Sequence, residues 1–371
     1  MKVEIEHAAF HDVIGRAAKA LASRPATPIL AGLLLRAQEG TLQASAFDFE
    51  LAVRASAPAA VGEPGAVLVS GRLLAEITRV LPKLPVTLTT DGAKVVLTCG
   101  RYRYTLACMP LDEYPALPAT PPVIGRIPAA ALVSAAGQAA LAAERDDTLP
   151  FLTGTRIEYG PDHLRLAATD RYRLAVRDLP WSPASAEDSG SVLVPARMLL
   201  EAARLFDAGE QVTIGIDEGL VGLSAEGLAV TLRQLDGSFV RYEQLFPETY
   251  PGGAVVQVAP LVEAIKAIAL VAERNTPIRL EFASEQVTIG AGSGDQAVAT
   301  VTIDAEFDAE PVSIAANPAY LLDGLGSLDT PYAQLRYPEK ARPVVLTGLA
   351  EPGGAADESF RYLFIPVRST A

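Results

Sequence analysis

A chain of 371 residues has the length of two to four domains. Half of its residues are hydrophobic and 20% are charged, with both signs interspersed, so it is a folded protein with several cores and not a disordered tail. Its net charge of −13 argues against a protein that grips nucleic acid by bulk positive charge.

The chain opens Met1-Lys2-Val3-Glu4-Ile5-Glu6-His7, which lacks the apolar core of a signal peptide. No run approaches the ~18 unbroken apolar residues of a membrane span. The richest, residues 267–272, meets Glu273-Arg274. These features predict a cytoplasmic protein without membrane contact.

The first strand and helix signal is Ile5-Glu6-His7-Ala8-Ala9-Phe10, with the helix expected over 10–24. A hairpin follows: Ile29-Leu30-Ala31-Gly32, a turn at Glu39-Gly40, then Thr41-Leu42-Gln43-Ala44. Leu51-Ala52-Val53-Arg54 precedes a second helix over 71–83, with Ser70 placed to cap it. Val86-Thr87-Leu88-Thr89 alternates with the period of a half-buried strand and turns at Asp91-Gly92. Cys99 and Cys108 are expected on adjoining strands of a hairpin turning at Gly100-Arg101, not opposite each other, and so as unpaired thiols.

The pattern then repeats at a period near 120 residues. Ile127-Pro128-Ala129 opens a second copy with a helix over 129–145, and Val256-Gln257-Val258 opens a third with a helix over 260–274. Their hairpins are Phe151-Leu152-Thr153-Gly154 with Leu164-Arg165-Leu166, and Ile278-Arg279-Leu280 with Gln286-Val287-Thr288-Ile289. Leu174-Ala175-Val176-Arg177 repeats the earlier tetrapeptide. Second helices follow over 195–206 and 317–328, the latter with Asn317 as cap and Pro318 at its first position. The expected fold class is α+β, each copy holding two helices on antiparallel sheets. Proline-rich joints at 115–122 and 247–251 divide the chain into domains at 1–120, 121–250 and 251–371.

Three motifs carry a resemblance. These are Arg24-Pro25-Ala26-Thr27-Pro28-Ile29-Leu30, Ala168-Thr169-Asp170-Arg171-Tyr172-Arg173-Leu174-Ala175, and Tyr362-Leu363-Phe364-Ile365-Pro366-Val367-Arg368. In order and spacing they resemble the bacterial DNA polymerase III beta subunit, the replication sliding clamp family. Arg171-Tyr172 stands where Gly-His is commoner, and Phe364-Ile365 where smaller side chains or Met are favoured.

The resemblance implies two three-domain chains closed head to tail into a six-domain ring. Such a ring encircles duplex DNA without reading its sequence and tethers polymerases to it, with no catalysis, metal or cofactor. It implies a peptide cleft between the second and third domains, walled by Leu152, Thr169, Tyr172, Arg173, Leu174, Pro247, Leu363, Ile365, Pro366, Val367 and Arg368. The partners there are the DNA polymerase III catalytic subunit, clamp-loader subunits and other clamp-motif proteins. DNA contacts are expected from Arg24, Arg72 and Arg197, and the dimer seam from Tyr104, Leu106 and Leu270. Asp146 matches a polar contact position, but as an acid it does not suit phosphate. The six expected helices carry 11 basic and 7 acidic residues on a chain of net charge −13. A mildly positive lining inside an acidic body suits sliding, because closure and not phosphate affinity retains the DNA.

Enzyme readings find little support. There are three histidines, His7, His11 and His163, with no His-x-Glu or Cys-x-x-Cys spacing. There is no P-loop and no nucleophile elbow. Gly290-Ala291-Gly292-Ser293-Gly294 opens no helix and is read as a turn, and residues 144–147 as a solvated helix end. A β-rich surface protein is disfavoured by the threefold repeat.

Overall fold

The computed structural model describes residues 1–22, 24–25, 27–146, 148–247, 249–250, 252–272, 276–283, 285–291, 298–307, 309–337 and 343–367. Among them are six α-helices: α1 (His7–Ala17), α2 (Gly71–Val80), α3 (Ala129–Ala140), α4 (Ala196–Ala203), α5 (Val258–Ala269) and α6 (Pro318–Gly326). That is two per sequence copy, and each starts within one residue of the end of a strand.

The helices are shorter than their sequence signals. α1 stops at Ala17 and passes into a 3-10 turn, Ala18–Ala20, so Arg24 falls in the loop beyond. Two expected caps behave differently. The Asn317 side chain accepts the Ala319 N–H at 2.9 Å, satisfying a donor that the first helical turn leaves open. Ser70 holds the cap position of α2, but its hydroxyl makes no capping bond.

Every described strand pairing is antiparallel, and the strands form two sheets belonging to two compact units. The first unit comprises Met1–Ala130, Trp181–Asp188 and Glu201–Gln234, with a 14-stranded sheet. Its core joins Phe10, Val13 and Ile14 of α1 and Leu74 of α2 to Leu35, Leu42 and Val53 of the sheet. The second unit comprises Ala131–Pro180, Ser189–Leu200 and Leu235–Ala371, with a 12-stranded sheet. Leu261, Ile265 and Ile268 of α5 and Leu321 and Leu325 of α6 pack there on Leu280, Phe282, Ile289, Leu335 and Tyr362. Each such side chain contributes about 1.5–3 kcal/mol on burial.

The sheets cut across the sequence copies. In the first unit, strand Leu228–Arg233 of copy two pairs with Leu51–Pro58 of copy one, setting Leu232 opposite Leu51 and Val230 opposite Val53. In the second, strand Asp357–Phe364 of copy three pairs with Arg173–Leu179 of copy two, setting Leu363 opposite Leu174. The last strand of each later copy thus extends the sheet of the copy before it.

The tetrapeptide repeat is out of register with this geometry. Asp48 Oδ1 accepts the N–H groups of Glu50 and Leu51 at 3.1 and 2.8 Å. Asp170 Oδ1 accepts those of Tyr172 and Arg173 at 2.9 and 3.0 Å. Phe49 and Arg171 both have positive φ, 76° and 79°, a conformation that bulky residues adopt only under constraint. Leu51 is therefore equivalent to Arg173, and the matching Leu174 lies one position further on.

The cysteines lie as expected on hairpin strands Lys94–Cys99 and Tyr102–Met109, and both are free. No described helix is long and apolar enough to cross a membrane.

Candidate functional site

In the second unit, most of the expected cleft residues come together around the turn after strand Leu164–Thr169. Ile365 N–H donates to the Tyr172 carbonyl at 2.8 Å, and Val367 N–H to the Ala315 carbonyl at 2.8 Å. The chain after the last strand is thereby drawn beside the turn, with Pro366 between its two tethers. Tyr172 is 56% exposed, and Ile365 and Val367 are also exposed, so three apolar side chains face solvent at one place. Beneath them Leu174 and Leu363 are buried in a cluster with Ala167, Val176, Tyr242 and Val345. Phe246 packs on this cluster, and Pro247 follows it. Leu152 is buried in the turn Pro150–Leu152, and Thr169 is buried with its hydroxyl donating to the Arg173 carbonyl at 2.6 Å. Arg368 lies outside the described residues.

Arg173 departs from the expectation of a peptide contact. Its side chain is 6% exposed, with Nε on Asp170 Oδ2 at 2.8 Å and Nη1 on Asp323 Oδ2 at 2.6 Å. The guanidinium carbon sits 4.5 Å from the centroid of the Tyr320 ring. Burial opposes its charge, but the oxygens of Tyr362, Asp323 and Asp170 outweigh burial and raise its pKa.

Phe239, Phe246 and Tyr250 pack with Tyr242 against the cluster around Leu174 and Leu363. Tyr242 donates from its hydroxyl to Glu158 Oε2 at 2.9 Å, and burial raises the phenol's pKa. Arg156, Arg361 and Arg336 lie over the rings of Phe239, Phe246 and Tyr250 at 5.9, 4.8 and 4.7 Å.

The expected DNA contacts Arg24, Arg72 and Arg197 are all exposed. The first unit also holds a basic recess of about 400 Å³ lined by His11, Arg16, Lys19, Arg79 and Arg204. Arg16 there is committed to Asp12 and Asp207, both at 2.9 Å. The helix charge count includes these cations, but nothing in the sequence shows that they converge.

Among the expected seam residues, Leu270 at the end of α5 is 86% exposed, Tyr104 is half-buried, and Leu106 is 5% exposed, packed within its own domain. Among the described residues, two long strands inside the sheets are left mostly unpaired on one side. Strand Tyr102–Met109 pairs along one side with Lys94–Cys99, and on the other only Cys108 and Met109 are paired. Strand Ala299–Phe307 pairs along one side with Gln286–Ala291, and on the other only through residues 305–307. Among the described residues, no group of His, Cys, Asp or Glu side chains could hold a metal ion.

Comparison with known proteins agrees with this architecture along the whole chain. Residues 1–118, 126–240 and 243–368 match the N-terminal, central and C-terminal domains of the DNA polymerase III beta subunit. The chain belongs to the DNA polymerase III beta subunit family. The beta sliding clamp of Streptomyces coelicolor is 46% identical over 373 residues, covering 99% of each chain. The beta sliding clamp homolog GriR of Streptomyces muensis is 41% identical, again over 99% of each. The Bacillus subtilis DNA polymerase sliding clamp has the same fold, with a TM-score of 0.91 at 26% identity, covering 100% of this chain and 99% of that one. The chain is accordingly a DNA sliding clamp, a non-catalytic subunit built on the three-domain clamp architecture.

Proposed function

We propose that two copies of this clamp, each with domains at 1–120, 121–250 and 251–371, close head to tail into a ring around duplex DNA. The two mostly unpaired strand edges at Tyr102–Met109 and Ala299–Phe307 carry the reading. Copy two's last strand pairs with copy one, and copy three's with copy two. Copy one's last strand, Tyr102–Met109, and copy three's receiving strand, Ala299–Phe307, are left for a second chain.

The repeat also supplies the register. Gly100-Arg101 and Glu226-Gly227 are both two-residue turns, which makes Tyr104 equivalent to Val230. Ala46 and Ala291 lie five residues into equivalent strands and pair with Val53 and Ala299. Since Val230 pairs with Val53, this reading has Tyr104 opposite Ala299 of the partner subunit, and Thr105 opposite Val298 of the partner subunit. This is strand addition at a closed, repeated interface. Arg101 then falls diagonally across from Asp304 of the partner subunit, and Leu270 gains a surface to cover it.

Arg24, Arg72 and Arg197 make non-specific phosphate contacts in this reading. The exposed Tyr172, Ile365 and Val367 above the buried Leu174 and Leu363 take up Leu or Phe anchors of peptides. Those peptides come from the DNA polymerase III catalytic subunit, clamp-loader subunits and other clamp-motif proteins. The ring is tested by loading the clamp on nicked circular DNA, linearising the DNA and measuring retention. Loss on linearisation is expected, and equal retention on both forms overturns topological binding.

A further inference from the structure

We infer that Asp323 is a positioning residue for the partner cleft: from α6 it holds Arg173, and through Arg173 the turn that presents Tyr172. The inference rests on the cleft reading above. The turn is mostly held by contacts within itself. Thr169 Oγ1 donates to the Arg173 carbonyl and accepts the Arg171 N–H at 3.1 Å. Asp170 accepts the N–H groups of Tyr172 and Arg173 and the Arg173 Nε–H. Those contacts fix the shape of the loop, strained at Arg171 with φ 79°, and an anchoring contact to another element adds to its orientation on the domain. Arg173 supplies that anchor, because its Nη1 reaches Asp323 at 2.6 Å and its guanidinium lies over Tyr320, both on α6.

Two further observations point to α6, and a third to the ion pair. Tyr362, beside the turn on the last strand, donates to the Tyr320 carbonyl at 3.0 Å. The opposite wall hangs from the approach to the same helix, because Val367 N–H bonds Ala315, two residues before the Asn317 cap. The equivalent turn of copy one carries Leu51 where Arg173 stands, so it has no such anchor, and it presents Glu50 where the cleft has Tyr172. The long-range ion pair therefore accompanies the aromatic that it positions. Asp323 itself keeps 31% of its side chain exposed and can be changed without emptying a core.

The experiment titrates a fluorescein-labelled peptide, carrying the Leu and Phe anchors of a polymerase's clamp-binding segment, against the full-length clamp. The proteins are the wild type, Asp323→Asn, Tyr172→Ala and the double variant, each checked for melting temperature and oligomeric size. Asp323→Asn is expected to weaken binding about tenfold, the scale of one charge-assisted hydrogen bond. The double variant is expected to bind no more weakly than Tyr172→Ala alone, because Asp323 acts only by placing that ring. Asp323→Glu, which restores the charge, is expected to recover part of the affinity. Additive losses indicate general loosening and overturn the positioning role, as does wild-type affinity in Asp323→Asn beside a weakened Tyr172→Ala. Undiminished binding by Tyr172→Ala removes the cleft reading, and this inference with it.

Discussion

Replacing Leu270 tests ring closure at its most exposed apolar contact. The side chain is 86% exposed at the end of α5, so the single chain gains almost nothing from it. Covering it in a seam recovers nearly the full burial of a leucine, about 1.5–3 kcal/mol. A two-subunit ring has two seams, so Leu270→Ala, which forfeits roughly two thirds of that at each, costs about 2–4 kcal/mol per ring. The dimer dissociation constant should rise by about 30- to 1000-fold. Leu270→Asp adds a carboxylate that must be desolvated without a partner, and should give a monomer at micromolar concentration. Sedimentation velocity over a dilution series reads both effects, and the melting temperature of the monomer should be little changed, because the residue touches no core. An undiminished dimer in Leu270→Asp at low concentration removes Leu270 from the seam.

The register inferred from the repeat predicts that Thr105→Cys and Val298→Cys in one chain form an intermolecular disulfide under mild oxidation, giving a covalent ring on a non-reducing gel; a pair shifted by two residues should not. Removing residues 365–371 should abolish peptide binding and leave the dimer. A cut before Leu363 should instead unfold the domain, because Leu363 and Phe364 are buried in paired strands. Tyr172→His should change peptide affinity at unchanged melting temperature, the ring being more than half exposed. Asn317→Ala should cost about 1 kcal/mol in urea unfolding and Ser70→Ala much less, since only the former side chain bonds the helix start.

The repeated strand-helix signals and the α+β class were legible because they rest on local periodicity and turn chemistry. The Glu39-Gly40 turn forms with positive φ at both residues, the geometry of a tight hairpin. What local signals could not carry was register. Leu51 and Leu174 were matched by identity, yet each strand is buried on both faces near that point, so a leucine is accepted at either alternation and the period of two that would expose a shift is absent. The same limit applies to the site. Leu270 follows the apolar run of α5, but Leu261, Ala264, Ile265 and Ile268 form the buried stripe, and Leu270, still in helical backbone geometry two residues past Ile268, falls on the opposite face. Arg173 reads as a wall of the cleft, and its burial is not legible because the second acid that draws it inward, Asp323, lies 150 residues away in sequence.

On the proposed reading, the two within-chain junctions differ in the side chains they present, which gives one peptide cleft per chain. Their backbones agree closely. Ile365 N–H bonds the Tyr172 carbonyl at 2.8 Å, and at the equivalent place Arg233 N–H bonds the Glu50 carbonyl at 2.9 Å. Both turns are capped by an aspartate and strained at the next residue. The difference lies in the side chains that this shared frame presents. Tyr172, Ile365 and Pro366 at one junction are replaced by Glu50, Arg233 and Gln234 at the other. The Gln234 amide is moreover occupied by the carbonyls of Asp217 and Leu220 at 2.9 and 3.0 Å. An apolar anchor arriving there would have to desolvate an acid and a base, a cost of several kcal/mol for charges left unpaired, against the half-exposed Phe49 ring as apolar surface. Strand pairing needs only backbone groups and so recurs at both junctions, whereas the proposed peptide capture needs the cluster of exposed apolar side chains that Tyr172, Ile365 and Val367 make at the second.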